Sequence, residues 1–365
     1  MTGKQPVLLM AGGTGGHIFP ALAVARLLQQ SGYPVEWLGS SGSMEAERVP
    51  AAGLPFHALA VSGLRGKGYK KLFLAPFLLL RSVWQAMVIL RRVKPCCVVG
   101  FGGFASGPGG IAAWLLGIPL SIHEQNALPG MTNRILARLA RHVFTAFPQA
   151  FAHSGSIRNK VICVGNPVRA ELLQLAAPTL RYAQRTGPLR LLVIGGSLGA
   201  QVFNERLPQA LSLLPPDAQL WVRHQCGAGR ATSVQQLYQH GWPEGQVEVQ
   251  DFIDDMAAAF DWADLVVCRA GALTVSELAA VGVASVLVPF PFAVDDHQTH
   301  NAHFLADAGA AVLLPQKQLS AASLAELLGS LWQREQLVDM AEKARQLARP
   351  DAGEQLIKNL LKDVT

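Results

Sequence analysis

The sequence predicts an α/β protein made of two doubly wound parallel-sheet domains in tandem. Two observations predict it. Short apolar runs alternate with helical patterns almost throughout the chain, as they do where parallel strands are covered by helices. The stretch "VLLMAGGTGGHIFPALAVARLL" (7–28) also has an echo in "RLLVIGGSLGAQVFNERLPQALSLL" (190–214). Each reads as a strand, a Gly-Gly-hydroxyl-x-Gly turn and a helix, and the second begins near the midpoint. At 365 residues the chain can bury two cores of ordinary size.

In order along the chain, the apolar runs predict strands at 7–10, 34–38, 96–100, 118–122, 190–194, 219–223, 247–250, 264–268 and 284–289. The alternation lapses in "VGNPVRAELLQLAAPTLRYAQRTGP" (164–188), which is the expected join. Doubly wound domains collect ligands at the carboxyl ends of their strands, so two mouths are expected to face each other across a cleft.

The first glycine turn is neither a dinucleotide fingerprint nor a P-loop. Ile18 stands where the third fingerprint glycine would fall, Glu36 sits inside an apolar run rather than at its end, and no Gly-Lys-Thr or Gly-Lys-Ser follows. The turn still has the physics of an anion site, with backbone amides close to the ligand and a helix N-terminus behind them. A third turn, "GFGGFASGPGG" (100–110), implies close approach by a ligand or by another backbone, or else a surface turn. The strongest local signal is "DLVVCRAGALTVSELAAVG" (264–282): a buried strand, Arg269-Ala270-Gly271, then a helix expected to begin near Thr274. Thr274 and Glu277 have capping-box spacing. Glu277 therefore either caps its own helix or accepts hydrogen bonds from a ribose diol, with amides around Ala272–Val275 facing a pyrophosphate.

Half the residues are hydrophobic and 15% are charged, far from a disordered composition. No secretory signal pattern opens the chain. The five cysteines lack CxxC spacing and read as reduced structural thiols of a cytoplasmic protein, with no metal role. A net charge of +6 invites nucleic acid or an anionic membrane surface. No long basic run with interleaved aromatics occurs, so nucleic acid is not expected. Basic residues do gather around "RGKGYKKLFLAPFLLLRSVWQAMVILRRVK" (65–94). A transmembrane helix there is disfavoured. Arg81 sits mid-span, where a charge costs roughly 2.5–3.5 kcal/mol on insertion scales, with Ser82 and Gln85 on its side, and Pro76 interrupts the first turns. Two readings stay open. One is an ordinary helix packed on a sheet. The other is a partly exposed apolar face, rimmed by Lys67, Lys70, Lys71, Arg91 and Arg92, resting on anionic lipid.

In order, "GGTGGHIFPALAVA", "SGLRGKG", "GFGGFASGPGG", "HEQNALPG", "VGNPVR", "GGSLGA", "FIDDMAAAF", "CRAGALTVSELAAVG" and "PFAVDDHQTHNA" closely resemble the MurG family of bacterial glycosyltransferases. The resemblance runs from about residue 5 to the C-terminal helices. It implies GT-B architecture, two Rossmann-like domains facing across a cleft. It also implies an inverting, UDP-GlcNAc-dependent hexosyltransferase that acts on undecaprenyl-linked lipid I to give lipid II in peptidoglycan synthesis. Residues 1–166 would then bind the acceptor and touch the membrane, 167–345 would bind UDP-GlcNAc, and 346–365 would pack back on the N-terminal domain, with "GEQLIKNLLKDV" as the returning helix. The resemblance places the protein peripherally on the cytoplasmic face of the bacterial inner membrane, in cell-wall biogenesis, cell shape and cell division, alongside other cell-wall synthesis proteins.

By the same resemblance, Ala272, Leu273, Thr274, Val275, Ser276 and Glu277 hold the diphosphate and ribose, with Glu277 on the ribose hydroxyls. Ile253 and Arg169 lie near the uracil, Ser197 near a phosphate, and Gln298 reads sugar hydroxyls. Thr14, Gly15, Gly16 and Asn126 match donor-side or acceptor-side contacts. Leu198 departs from the family's usual glutamine, and the connection from Asn126 to Arg169 is longer than in familiar members.

Displacement at a sugar carbon requires a base for the attacking hydroxyl and stabilisation of the departing diphosphate. No Asp-x-Asp occurs, and Asp254-Asp255 and Asp295-Asp296 are adjacent residues that tend to point apart. Helix amides and the hydroxyls of Thr274 and Ser197 are therefore expected to stabilise the diphosphate without a divalent metal or other cofactor. For the base, His17 at the first glycine turn is the first candidate, since histidine titrates near about 6.5. The alternative is that it orients the loop. His123 and Glu124 are the reserves. Competing functions are a UDP-GlcNAc epimerase of related architecture, which leaves segment 65–94 unexplained, and a non-catalytic membrane-bound nucleotide sensor.

Overall fold

The computed structural model describes residues 4–60, 69–196, 198–215, 218–238 and 245–362; for residues 69–75 and Val294 the backbone alone is described. The chain divides into two compact units, Met1–Arg169 with Arg349–Thr365, and Ala170–Ala348.

The first unit runs β1 (Val7–Ala11), α1 (Gly15–Gln30), β2 (Val35–Ser40), α2 (Met44–Ala51), β3 (Phe56–Leu59), α3 (Tyr69–Val93), β4 (Cys97–Gly102), α4 (Ser106–Leu115), β5 (Leu120–Glu124), α5 (Met131–Leu139), β6 (His142–Thr145) and β7 (Val161–Cys163). Among the described residues these strands form one sheet in the order β3-β2-β1-β4-β5-β6-β7, parallel at every pairing. Both faces are covered, which is why β1 is apolar at every position rather than at alternate ones. Val7, Leu9 and Ala11 pack with Ile18, Val24 and Leu28 of α1. Leu8 and Met10 pack on the other face with Val83, Ala86 and Leu90 of α3.

The second unit runs α6 (Ala170–Leu173), α7 (Pro178–Ala183), β8 (Leu189–Ile194), α8 (Gln201–Leu211), β9 (Leu220–Gln225), α9 (Ala231–Tyr238), β10 (Val247–Gln250), α10 (Met256–Trp262), β11 (Leu265–Cys268), α11 (Ala272–Val281), β12 (Ala284–Leu287), α12 (His297–Ala306), β13 (Ala311–Leu313), α13 (Ala321–Ser330) and α14 (Arg334–Gln346). Its described strands are ordered β10-β9-β8-β11-β12-β13, again parallel throughout. The chain ends with α15 (Ala352–Leu361), which returns to the first unit and packs on α1; Leu356, Ile357 and Leu360 enter its core.

Each sheet reverses its strand order at one place, between β1 and β4 in the first unit and between β8 and β11 in the second. Loops at the carboxyl ends of such strand pairs form the crevice of a doubly wound sheet. The two glycine turns that echo each other in sequence, after β1 and after β8, sit at these two places. Every strand expected from the sequence is present within a few residues. β3, β6, β7 and β13 were not expected. They have only three or four residues, too few to show a period against their flanking loops.

Candidate active site

In the first unit the turn after β1 leads into α1, with Thr14 as N-cap in extended backbone and its side chain making no cap hydrogen bond. Thr14 is exposed, and Gly15, Gly16 and His17 are half-buried in the helix's first turn. Backbone answers the question about the third turn. A Cβ on Gly103 would fall 2.3 Å from the Gly12 carbonyl oxygen. The loop after β4 thus packs against the loop after β1, and only glycine permits it. Below the turn lies Glu45, fully buried. Its carboxylate accepts the Gly13 amide and the Ser40 amide, each at 3.1 Å.

His17 Nδ1 lies 2.9 Å from Gln125 Oε1, across the loop after β5. The reserve bases are committed elsewhere. Glu124 is buried and accepts from the Asn126 amide, Asn126 Nδ2, the Gly130 amide and Asn133 Nδ2 at 2.9, 3.3, 3.1 and 2.9 Å. That carboxylate folds its loop and with it holds Asn126. His123 is inaccessible, and burial pushes its pKa down to about 4. Glu36, excluded as a ribose ligand, lies 2.5 Å from His57 Nε2.

In the second unit β11 runs into Arg269, Ala270 and Gly271. Arg269 Nη1 donates to the Val288 and Pro289 carbonyls at 3.1 and 3.2 Å, with its guanidinium over the Phe203 and Phe290 rings. Burial lowers its pKa. Buried Asn301 Nδ2 donates to the Ala270 carbonyl at 3.2 Å. The loop before α11 is braced from α12 and from the end of β12.

α11 begins at Ala272 with Gly271 as N-cap, two residues earlier than the sequence predicts. Thr274 is therefore inside the first turn and Glu277 in the second, so the capping-box reading is overturned. Gly271 wins because an extended residue with no side chain (φ −64°, ψ 142°) can open a helix without a hydroxyl cap. The amides of Ala272, Leu273 and Thr274 have no intrahelical carbonyl to bond. Val275, expected among them, is not available. Its amide bonds the Gly271 carbonyl at 2.9 Å, and its side chain is buried. Ser276 Oγ donates to the Ala272 carbonyl at 2.9 Å. Glu277 is 4% exposed, near enough to Cys268 that its charge adds to the burial that raises that thiol's pKa to about 12.

Ile253 is half-buried in the loop after β10. Gln298, second residue of α12, accepts the Phe290 amide on Oε1 at 2.9 Å, which turns its amide NH2 away from that contact. Arg169 is half-buried at the end of the first unit's main segment. Ser197 lies outside the described residues. Asp251, missed in the sequence, accepts the Gly229, Arg230 and Ala231 amides at 2.7, 3.0 and 2.8 Å. These bonds, the Gly229 amide foremost, hold its carboxyl below the usual range. Of the aspartate pairs, Asp255 caps α10 through the Ala258 amide at 2.9 Å, and Asp296 Oδ1 accepts from Thr299 Oγ1 at 2.7 Å. Among the described residues no group of three or more His, Cys, Asp or Glu side chains is arranged to hold a metal ion.

α3 packs on the sheet along one side and exposes apolar side chains on the other. Val83, Ala86 and Leu90 are buried on the sheet, whereas Phe77, Leu80 and Trp84 are 66, 67 and 61% exposed. α4 packs beside α3 and α5 beside α4; they expose Trp114, Leu115, Met131 and Ile135. The helix continues through Pro76. Ser82 does not share the exposed side of Arg81; it is buried, its Oγ donating to the Leu78 carbonyl at 2.7 Å. Arg91 and Arg92 are exposed. Lys67 and the side chains of Lys70 and Lys71 lie outside the described residues. Among the described residues no helix is long and apolar enough to cross a membrane.

The glycosyltransferase family 28 N-terminal domain matches residues 7–145, and the family's C-terminal domain matches residues 190–356. The chain belongs to glycosyltransferase family 28. The matched segments contain the two glycine turns and α11, and the fold is GT-B, with two Rossmann-like domains. A relative from Marinobacter nauticus is 54% identical over 98% of this chain and 97% of its own length. Its name is UDP-N-acetylglucosamine--N-acetylmuramyl-(pentapeptide) pyrophosphoryl-undecaprenol N-acetylglucosamine transferase. The crystal structure of Acinetobacter baumannii MurG is 43% identical, with a TM-score of 0.83 over 98% of this chain and 99% of that one. A UDP-GlcNAc 2-epimerase from Neisseria meningitidis, bound to UDP-GlcNAc, is also similar, with a TM-score of 0.66 over 98% of this chain and all of that one. At 12% identity that likeness is one of fold alone.

Proposed function

We propose that this chain transfers N-acetylglucosamine from UDP-GlcNAc to the C4 hydroxyl of the MurNAc-pentapeptide of lipid I, producing lipid II for peptidoglycan synthesis. The observation that carries the proposal is 54% identity, over nearly the whole chain, to a relative named for that transfer. Site geometry supports it from both units.

On this reading the unit containing α11 binds the donor. The unpaired amides of Ala272, Leu273 and Thr274 meet the diphosphate at the positive end of the helix. Glu277 accepts hydrogen bonds from the ribose diol, Ile253 borders the uracil, and Gln298 offers its amide NH2 to sugar hydroxyls. Arg169, which belongs to the first unit, keeps its uracil assignment from the family resemblance alone. Ser197 retains its assignment to a phosphate from the family resemblance. Thr14, Gly15, Gly16 and Asn126 line the acceptor side. His17 takes the C4 proton as the hydroxyl oxygen bonds to the anomeric carbon and the C1–O bond to UDP breaks. Attack from the face opposite the leaving group inverts an α-linked donor to a β(1→4) disaccharide. The leaving charge is met by helix amides rather than a divalent ion; the Asp255 and Asp296 side chains already accept hydrogen bonds from Ala258 and Thr299.

The exposed face of α3 rests on anionic lipid, with Arg91 and Arg92 toward the headgroups. On this reading the enzyme works peripherally at the cytoplasmic face of the bacterial inner membrane, where its acceptor is anchored and other cell-wall synthesis proteins work. The decisive experiment supplies labelled UDP-GlcNAc and the lipid-linked acceptor with and without EDTA. Label enters the lipid fraction in both cases. No label in lipid overturns the transferase reading, and label lost with EDTA overturns the metal-free part.

A further inference from the structure

Behind His17 lies a chain of hydrogen bonds that ends on a backbone carbonyl. His17 Nδ1 is 2.9 Å from Gln125 Oε1, Gln125 Nε2 is 3.0 Å from His123 Nδ1, and His123 Nε2 is 2.9 Å from the Gly165 carbonyl. Two oxygens that can only accept set every proton in it. The Gly165 carbonyl requires a proton on His123 Nε2, so Nδ1 of a neutral His123 accepts. The His123 carbonyl, 3.2 Å from Gln125 Nε2, requires the NH2 end of that side chain there. Gln125 Oε1 therefore faces His17 and accepts from its Nδ1. Burial keeps His123 uncharged at neutral pH, its pKa lowered to about 4, so its Nδ1 stays an acceptor.

We propose that Gln125 and His123, anchored on the Gly165 carbonyl, are positioning residues that hold His17 with its proton on Nδ1 and its lone pair on Nε2. The proposal rests on the reading of His17 as the base. Nε2 receives the C4 proton, and the imidazolium so formed keeps its Nδ1–H on Gln125 Oε1. No proton passes further, because an amide does not titrate. The relay orients the base and selects its reactive nitrogen.

Two close packings hold the relay in place. The His17 ring lies over Gly102, where a Cβ would meet Cε1 at 2.9 Å and Nδ1 at 3.0 Å. At the other end Gly165 has φ +95°, and a Cβ there would fall 2.4 Å from Cβ of Arg349 and 3.2 Å from Cβ of Ala352. The start of α15 thus presses on the residue whose carbonyl ends the relay. Both buried relay residues, His123 and Gln125, come from the end of β5 and the loop after it.

The test is histidine-selective 15N NMR of the full chain, which reads the protonated nitrogen of each ring, combined with lipid I kinetics of Gln125→Ala and His17→Ala. The expected wild-type tautomers are Nδ1–H for His17 and Nε2–H for His123. In Gln125→Ala the His17 signal moves toward the Nε2–H form, and kcat falls about 100- to 10,000-fold with KM for UDP-GlcNAc within about twofold, as expected when a base is held in the wrong tautomer. A wild-type His17 protonated on Nε2 overturns the relay whatever the variants do. So does a Gln125→Ala enzyme with wild-type kcat. Wild-type kcat in His17→Ala overturns instead the base reading beneath it, an outcome distinguished by wild-type protein that still shows Nδ1–H on His17 and Nε2–H on His123.

Discussion

Glu45 grips the amide of Gly13 at 3.1 Å with one carboxylate oxygen while the other takes the amide of Ser40. The carboxylate is fully buried, so it links the end of β2 to the turn that carries His17 with no competing water. Replacing it with alanine orphans the buried Ser40 amide and the part-buried Gly13 amide. Glu45→Ala is expected to cost about 2–3 kcal/mol, seen as a Tm lower by about 4–10 °C. An unchanged Tm would show that the turn holds its shape without this brace.

A second buried carboxylate ties together the second unit. Asp264 is inaccessible and accepts from Arg185 Nη1 at 2.6 Å, Arg334 Nη2 at 3.3 Å and the Arg190 amide at 3.0 Å. Removing one partner of a buried pair strands the other charge. Asp264→Ala should therefore destabilise the protein by about 3–5 kcal/mol in urea unfolding. A loss under about 1 kcal/mol, the range of exposed pairs, would mean that water reaches the arginines.

Two buried histidines make stability fall in acid. Burial lowers His123 to about 4 and His224 to about 3; His224 Nδ1 lies 2.8 Å from the Tyr238 hydroxyl oxygen. In the unfolded chain both protonate below about 6.5. As pH drops through that value the unfolded state gains protons that the folded state refuses, and unfolding becomes easier. Each ring should cost about 1.4 kcal/mol per pH unit until its folded pKa is reached. Urea titrations between pH 7 and 4.5 check the slope, and a His224→Gln protein should show a shallower one. An identical slope in that variant would remove His224 from the account.

At the proposed donor site, Glu277→Gln keeps the shape of the side chain but removes its charge and one of its acceptor oxygens. KM for UDP-GlcNAc should rise about tenfold or more, as expected for one charge-assisted hydrogen bond of about 1.5–3 kcal/mol. An unaltered KM would return Glu277 to a purely structural role within α11.

On α3, Phe77→Ser with Trp84→Ser removes two exposed rings without touching the buried Val83, Ala86 and Leu90. Sedimentation with anionic vesicles should lose most of its bound fraction, and Arg91→Glu with Arg92→Glu should weaken binding in a salt-dependent way. Binding unchanged in both would assign this face to something other than lipid.

Much of the architecture was legible in the chain because its signals are local. An unbroken apolar run such as Val7–Ala11 already implies a strand covered on both faces, and the echo of one glycine turn in the other implies two domains. "CRAGALTVSE" marked the segment proposed to hold the donor for the same reason: strand, glycine and helix are adjacent. Even there, the helix start was misplaced by two residues, since a serine or threonine hydroxyl is a visible cap and a bare glycine is not. What only the tertiary structure decided are contacts between distant segments. Gln125 lies 108 residues from His17, and they meet because the sheet order sets β4 beside β1 and β5 next after it. Glu45 and Gly13 meet because β2 returns alongside β1. A glutamine or a glutamate carries no mark of such a partner in sequence, because hydrogen bonds are chosen by the fold that closes around them.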